Sequence, residues 1–233
     1  MEGNTAEMRV IARIHTDFAT KFGIPKQSGL VGELRGRIVF EPEYQNPDAV
    51  RGLEDFSHLW LIWQFSEAVR PEWSPTVRPP RLGGNKRVGV FASRSPFRPN
   101  HIGLSAVRLE RVEYTKDEGA VLHVLGADLM DGTPIFDIKP YLPYADSYPD
   151  ASGGFTDRAV ARTLRAEIDP ALLARVPEEK REALRGVLEH DPRPSYQDDP
   201  ERVYGFVFAG LEVRFRASGG VLTVLDIQKE CET

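Results

Sequence analysis

Arg94, Arg98 and Asn100 crowd into the stretch Arg87–Ser105, which reads RVGVFASRSPFRPNHIGLS. Guanidinium groups suit phosphates and stacked bases. Pro96 and Pro99 lack an amide hydrogen and restrict the residues before them, so this segment cannot join a regular ladder and its path is stiff. Two readings are open: a rigid corner with solvated arginines, or a preformed edge for an anion or nucleotide with Arg94, Arg98 and Asn100 held outward. A second candidate is ADLMDGTPIFD at 127–137. There Asp128 and Asp131 flank Leu129 and Met130, an apolar pair able to lie against a purine, and Gly132 opens backbone conformations closed to other residues. The plain alternative is an Asx-Gly turn between strands.

Charge points the same way as the arginines. The chain carries a net charge of −5, yet residues 70–98 hold seven basic side chains (Arg70, Arg78, Arg81, Lys86, Arg87, Arg94, Arg98) against Glu72 alone. That window is +6, so the remainder is −11. A basic strip on an acidic body is a footprint for a polyanion; the competing reading is a solvated charge run.

Other chemistries find no support. No G-x-G-x-x-G follows a strand, so a Rossmann dinucleotide or methyl-donor site is not expected, and no Walker A sequence occurs. The five histidines (His15, His58, His101, His123, His190) form no H-x-H or H-x-x-x-H pair, and Cys231 is the single cysteine, so neither a metal site nor a disulfide is expected. The longest apolar run, Leu59–Trp63, falls far short of the roughly 20 residues of a spanning helix, and MEGNTAEMRV has no signal-peptide core. These features together lead us to expect a cytoplasmic protein.

Taken with RPPRLGGNKRVGVFASRSPFRPN and DLMDGTPIFDIKPYLPY, the chain resembles the TsaA/YaeB family, also called TrmO, over roughly residues 9–150. Residues after about 157 resemble the family's bacterial C-terminal extension more loosely, through DPRPSY at 191–196 and the closing strands. The resemblance implies an S-adenosylmethionine-dependent tRNA methyltransferase on a β-barrel, dimeric, with its site near the subunit boundary. It implies a cofactor site built from Lys26, Gln27, Ser28 and Gly29 of PKQSGL, from Ser66 and Glu67, from Arg94 and Leu104, and from Asp128, Leu129, Met130 and Asp131. The implied substrate is a threonylcarbamoyladenosine beside the anticodon, methylated on its exocyclic nitrogen. That nitrogen's lone pair is delocalised, so its proton must be polarised or removed. On this reading Asp131, or a water it holds, accepts the proton while Arg94 and Asn100 orient the base. Arg78, Arg81, Lys86, Arg87 and Arg98 meet tRNA phosphates, and Tyr141 and Tyr144 stack on an anticodon base or fill the barrel mouth. Ser28 and His101 stand where relatives commonly carry proline.

These groups need a scaffold. Alternation or β-rich composition predicts strands at 9–17, 33–40, 57–65, 88–91, 102–113, 120–126 and 134–139, with no amphipathic helix between them. That spacing argues for a mainly β protein with an antiparallel barrel or sandwich, and the resemblance for a barrel. Asp169-Pro170 and Pro177 open two helices, the second with Ala183, Leu184, Val187 and Leu188 on one face. Strands follow at 204–208, 211–216 and 221–227. The expected division is a catalytic β-barrel at 1–156 and a small α+β appendage at 157–233. Two further function classes remain: a nucleic-acid-binding barrel without chemistry, and a small-molecule hydrolase using Asp128 and Asp131 as acid and base.

Overall fold

The structure, a computed structural model, describes residues 6–70, 72–79, 86–157, 163–193 and 199–230. Pro71, Pro80, Arg81, Cys231 and the 194–196 part of DPRPSY lie outside the described residues. Six antiparallel strands close into a barrel: β1 (Ala12–His15), β2 (Arg35–Phe40), β3 (His58–Gln64), β6 (Ile102–Thr115), β7 (Gly119–Leu125) and β8 (Thr133–Pro140), in the order β1-β2-β7-β6-β3-β8. Closure pairs every strand on both sides and so leaves no open edge. The period-two pattern decides what points inward. On β3, Leu59, Leu61 and Trp63 are buried; on β1, Ala12 and Ile14; Ile38, Val107, Leu122, Val124 and Ile135 complete the interior. The one-turn helix α1 (Pro143–Asp146) follows β8, and its Asp146 accepts from Trp60 Nε1 at 3.0 Å.

Between β3 and β6 the chain makes a short ribbon, β4 (Thr76–Val77) with β5 (Val88–Gly89). The strand expected over 88–91 thus stops at Gly89. Beyond it, Val90–Ala92 is a single 3₁₀ turn, because the Ser93 amide and hydroxyl both donate to the Val90 carbonyl and bend the chain.

The C-terminal part is a four-stranded sheet, β10 (Tyr204–Phe208), β11 (Leu211–Ser218), β12 (Val221–Lys229) and β9 (Arg165–Glu167), with β9 parallel to β12. Sequence reading missed β9, three residues being too few to show alternation. Helix α3 (Arg181–Glu189) covers the sheet with the apolar face expected of it, and Asp169 caps α2 (Pro170–Leu173) by accepting from the Ala171 amide. This core is not built from C-terminal residues alone. Phe18, Val31 and Leu34 belong to it, the rings of Phe18 and Phe208 meet edge-on at 5.5 Å, and Lys180 pairs with Asp17. The segment between β1 and β2 is therefore the seam, and it carries the PKQSGL loop.

Candidate functional site

A cleft of about 780 Å³ opens where β3 ends and β6 begins. Trp63, Phe65, Ile102, Leu104 and Leu129 give it an apolar floor. Trp63 can lie there because its neighbour across the ladder is Gly103, where an added Cβ would sit 2.3 Å from the indole.

The structure brings most of the expected cofactor residues to this cleft. Lys26, Gln27, Ser66, Glu67, Arg94 and Leu104 line it, as do Asp128, Leu129 and Met130. Ser66 and Glu67 sit on a 3₁₀ turn that begins two residues after β3 ends. The Arg94 guanidinium donates to the Gln27 side-chain carbonyl, tying the arginine loop to the PKQSGL segment. Ser28 does not line the cleft, but its backbone N–H faces the Asp128 carboxyl. Gly29 donates its amide to the Gly126 carbonyl at 2.8 Å. Both glycines take left-handed φ, +75° and +76°, at this crossing of loops, a conformation that other residues adopt with strain.

Asp128 is the group with unusual electrostatics. Ser105 points into the barrel from β6, is buried, accepts from Trp63 Nε1 at 3.0 Å and donates to Asp128 Oδ1 at 2.6 Å. Burial pushes the Asp128 carboxyl above the usual carboxylate range, against the lowering effect of Ser105, of nearby backbone N–H groups and of the Arg94 charge. A carboxylate so placed holds a proton more tightly than a solvated one while still being offered to the cleft. Sequence reading missed Ser105. The signal was present, since Gly103, Ser105 and Val107 share the inward face of β6 and a polar residue there needs a partner.

Several expectations meet a different geometry. Asp131 does not line the cleft. Its Oδ1 accepts from the Thr16 amide at 3.0 Å and lies 3.2 Å from His15 Nδ1, so it fastens the end of β1 to the turn before β8. Gly132, at φ +73°, completes that turn by donating to the Ile14 carbonyl. Asp128 and Asp131 therefore face different sides of one loop, and the acid–base pair of a hydrolase is not assembled. Arg98 is not held outward: its Nη1 donates to the Ser93 and Ser95 carbonyls and braces its own loop, at the cleft wall. Asn100 is exposed and outside the cleft lining. Tyr141 packs on Trp60 and His58, and Tyr144 is 87% exposed, both beyond the far end of β8. Thr133 lines the cleft, and the seven steps from it to Pro140 carry the strand about 24 Å away. Arg78, Lys86 and Arg87 are exposed on or beside the β4–β5 ribbon. Among the described residues no group of three or more His, Cys, Asp or Glu is placed to hold a metal ion, and no helix is long and apolar enough to cross a membrane.

Comparison with known proteins finds matches to both halves of the chain. The tRNA-methyltransferase O N-terminal domain matches residues 13–147, and the TrmO C-terminal domain matches residues 159–230. A tRNA (adenine(37)-N6)-methyltransferase of Escherichia coli K12 is 43% identical over 229 residues, 94% of this chain and 96% of that protein. A probable S-adenosyl-L-methionine-binding protein of Pyrococcus abyssi is 33% identical over 69% of this chain and 82% of its own. A crystal structure of TrmO from Pseudomonas aeruginosa superposes with a TM-score of 0.77 at 33% identity, covering 96% of this chain and 99% of that one. With both halves matched in order and the barrel reproduced, the chain belongs to the tRNA-methyltransferase O (TrmO) family.

Proposed function

We propose that the protein methylates the exocyclic nitrogen of adenosine 37 in tRNA, the one beside the anticodon, in its threonylcarbamoylated form and with S-adenosylmethionine as donor. The observation that carries the reading is the Ser105-tethered Asp128 in an apolar-floored cleft, in a chain 43% identical over nearly its whole length to a tRNA (adenine(37)-N6)-methyltransferase. The cleft suits the donor chemically: Glu67 offers a carboxylate to an amine, ribose or sulfonium, and Leu129 and Phe65 offer apolar surface to adenine. Its volume lies within the range of ordinary ligand sites. When bound, S-adenosylmethionine supplies an electrophilic methyl group.

The protein's own residues do the rest. Asp128, with its raised proton affinity, takes the proton leaving the exocyclic nitrogen, and the hydrogen bond from Ser105 to Oδ1 fixes the carboxyl group in the orientation that receives it. Arg94, held by Gln27, orients the modified base. Arg78, Lys86 and Arg87 meet phosphates. Asp131 positions the loop, and the base role passes to Asp128. A homodimer belongs to the same reading: Leu104, in the lining of the open cleft, is 54% exposed, and a second copy closing over the cleft mouth would cover it. So do a cytoplasmic location, where the tRNA is, and a division of labour between residues 1–156 and 157–233.

Calorimetric titration with S-adenosylmethionine, followed by mass analysis of threonylcarbamoylated and unmodified anticodon stem-loops incubated with enzyme and donor, tests the proposal. Donor binding and a one-methyl gain on the threonylcarbamoylated loop are expected. Donor binding without methyl gain on either loop contradicts it.

A further inference from the structure

Trp73 and Phe91 lie stacked, 6.2 Å between ring centroids at 29°, yet 53% and 73% of their surfaces face solvent. The β4–β5 ribbon brings them together: Trp73 precedes β4, Phe91 follows β5, and the Val90 amide donates to the Pro75 carbonyl at the ribbon's base. Val90 between them is buried, so it anchors the segment and the two rings are spare. Their position is bounded by the chain. Phe91 is two residues from Ser93 and Trp73 three from Arg70, both in the cleft wall, so the stack lies within roughly 7–11 Å of it along the backbone. An aromatic–cation unit sits in that wall as well, with the Arg70 guanidinium 4.0 Å over the Phe97 ring.

We infer that the Trp73–Phe91 stack is a platform on which an unpaired base of the tRNA loop, next to the target adenosine, is stacked. Unpaired RNA bases splayed from a loop are held on aromatic faces and guanidinium planes, and this surface offers both beside a cleft sized for a small ligand. Charge selects the occupant. Arg78, Lys86 and Arg87 surround the ribbon with Glu72 as the acid among the described residues of 72–98, which matches a polyanion. A second copy of this chain meeting the patch across a two-fold axis would set these cations against themselves. The inference rests on the reading that tRNA is the substrate.

The test is binding of a threonylcarbamoylated anticodon stem-loop to the wild-type chain and to the Trp73→Ala, Phe91→Ala and Trp73→Phe variants, at several salt concentrations. Affinity for the stem-loop falls roughly 10- to 100-fold in each alanine variant and little in Trp73→Phe. The slope of log K against log[salt] stays unchanged, because every phosphate keeps its cation. Donor affinity and sedimentation stay at wild-type values. In the wild-type chain the stem-loop quenches a tryptophan emission component that Trp73→Phe lacks, a readout that does not depend on the alanine variants folding. Alanine variants within about twofold of wild-type affinity overturn the inference. So does a changed sedimentation coefficient with RNA affinity intact, which makes the patch an interface between copies. A wild-type chain that binds no stem-loop at all contradicts the tRNA reading itself.

Discussion

Asp128 owes its chemistry to its neighbours. Because burial raises its pKa, the folded chain binds the proton more tightly than the unfolded one. Between the usual carboxyl value and the raised one the folded state carries more protons, so stability falls as pH rises through that window and the cost persists at neutral pH. Asp128→Asn removes the cost. Its Tm at pH 7 is expected above wild type, by about 2–4 °C for each kcal/mol relieved, and equal to wild type in strong acid. A thermal melt series against pH checks this. Ser105→Ala withdraws a donor that lowers the Asp128 pKa and leaves Trp63 Nε1 without its partner. Destabilisation of about 1–3 kcal/mol by denaturant titration is expected. The acid limb of the pH–rate profile moves to higher pH. These two residues also mark what a sequence yields. Asp128 was legible as one of a carboxylate pair, but which carboxylate faces the cleft depends on where the Thr16 amide falls, a contact across 115 positions of chain.

The arginine loop shows what is decided at the level of an element. Its stiffness was legible in Pro96 and Pro99, and the structure sets Arg94 and Phe97 in the cleft lining. Its serines were not weighed, yet Ser93 and Ser95 hydroxyls accept from the Ser95 and Phe97 amides and wind the loop tightly enough for Arg98 to brace it. His101 ends the loop at φ +49°, donates its amide to the Arg98 carbonyl and accepts from Phe65 through its own carbonyl. Proline cannot take that φ and has no amide to donate. His101→Pro is therefore expected to destabilise the chain by about 1–3 kcal/mol, while His101→Gly is tolerated. Equilibrium unfolding of the two variants side by side distinguishes strain from loss of the imidazole. The expected barrel strands match the observed ends at Phe40 and Ile102 and differ by one to three residues at the others, since alternation fades where the ladder does; β9 had no alternation to read.

At the scale of the molecule, the C-terminal sheet and the cleft are mechanically joined through the segment between β1 and β2. Phe18, Val31 and Leu34 lie in the C-terminal core, while Lys26, Gln27 and Ser28 of the same segment face the cleft or Asp128. Leu184→Ala, a truncation in that core, is expected to cost about 2–5 kcal/mol and to speed hydrogen exchange at the amides of residues 26–29 more than at those of β3. Exchange mass spectrometry reads both. Charge is also a whole-molecule property: on the proposed reading, a body of net charge −11 meets RNA through a strip of net charge +6. Neutralising Arg78, Lys86 or Arg87 singly should lower the slope of log K against log[salt] by about 0.7–0.9 for each phosphate left without its cation. The strip was legible because charge is countable along a chain, whereas the seam was not, because nothing in residues 17–34 announces a partner some 150 positions away.

Everything turns on Asp128, presented by Ser105 to the cleft, taking the proton from the nitrogen that is methylated. Single-turnover methyl transfer to a threonylcarbamoylated stem-loop by Asp128→Asn, with donor and RNA affinities measured on the same protein, isolates that step. A rate lowered about 10²- to 10⁴-fold with both affinities within reach of wild type is predicted. A near-wild-type rate in Asp128→Asn, or an equal loss in Asp131→Asn with its fold intact, contradicts it.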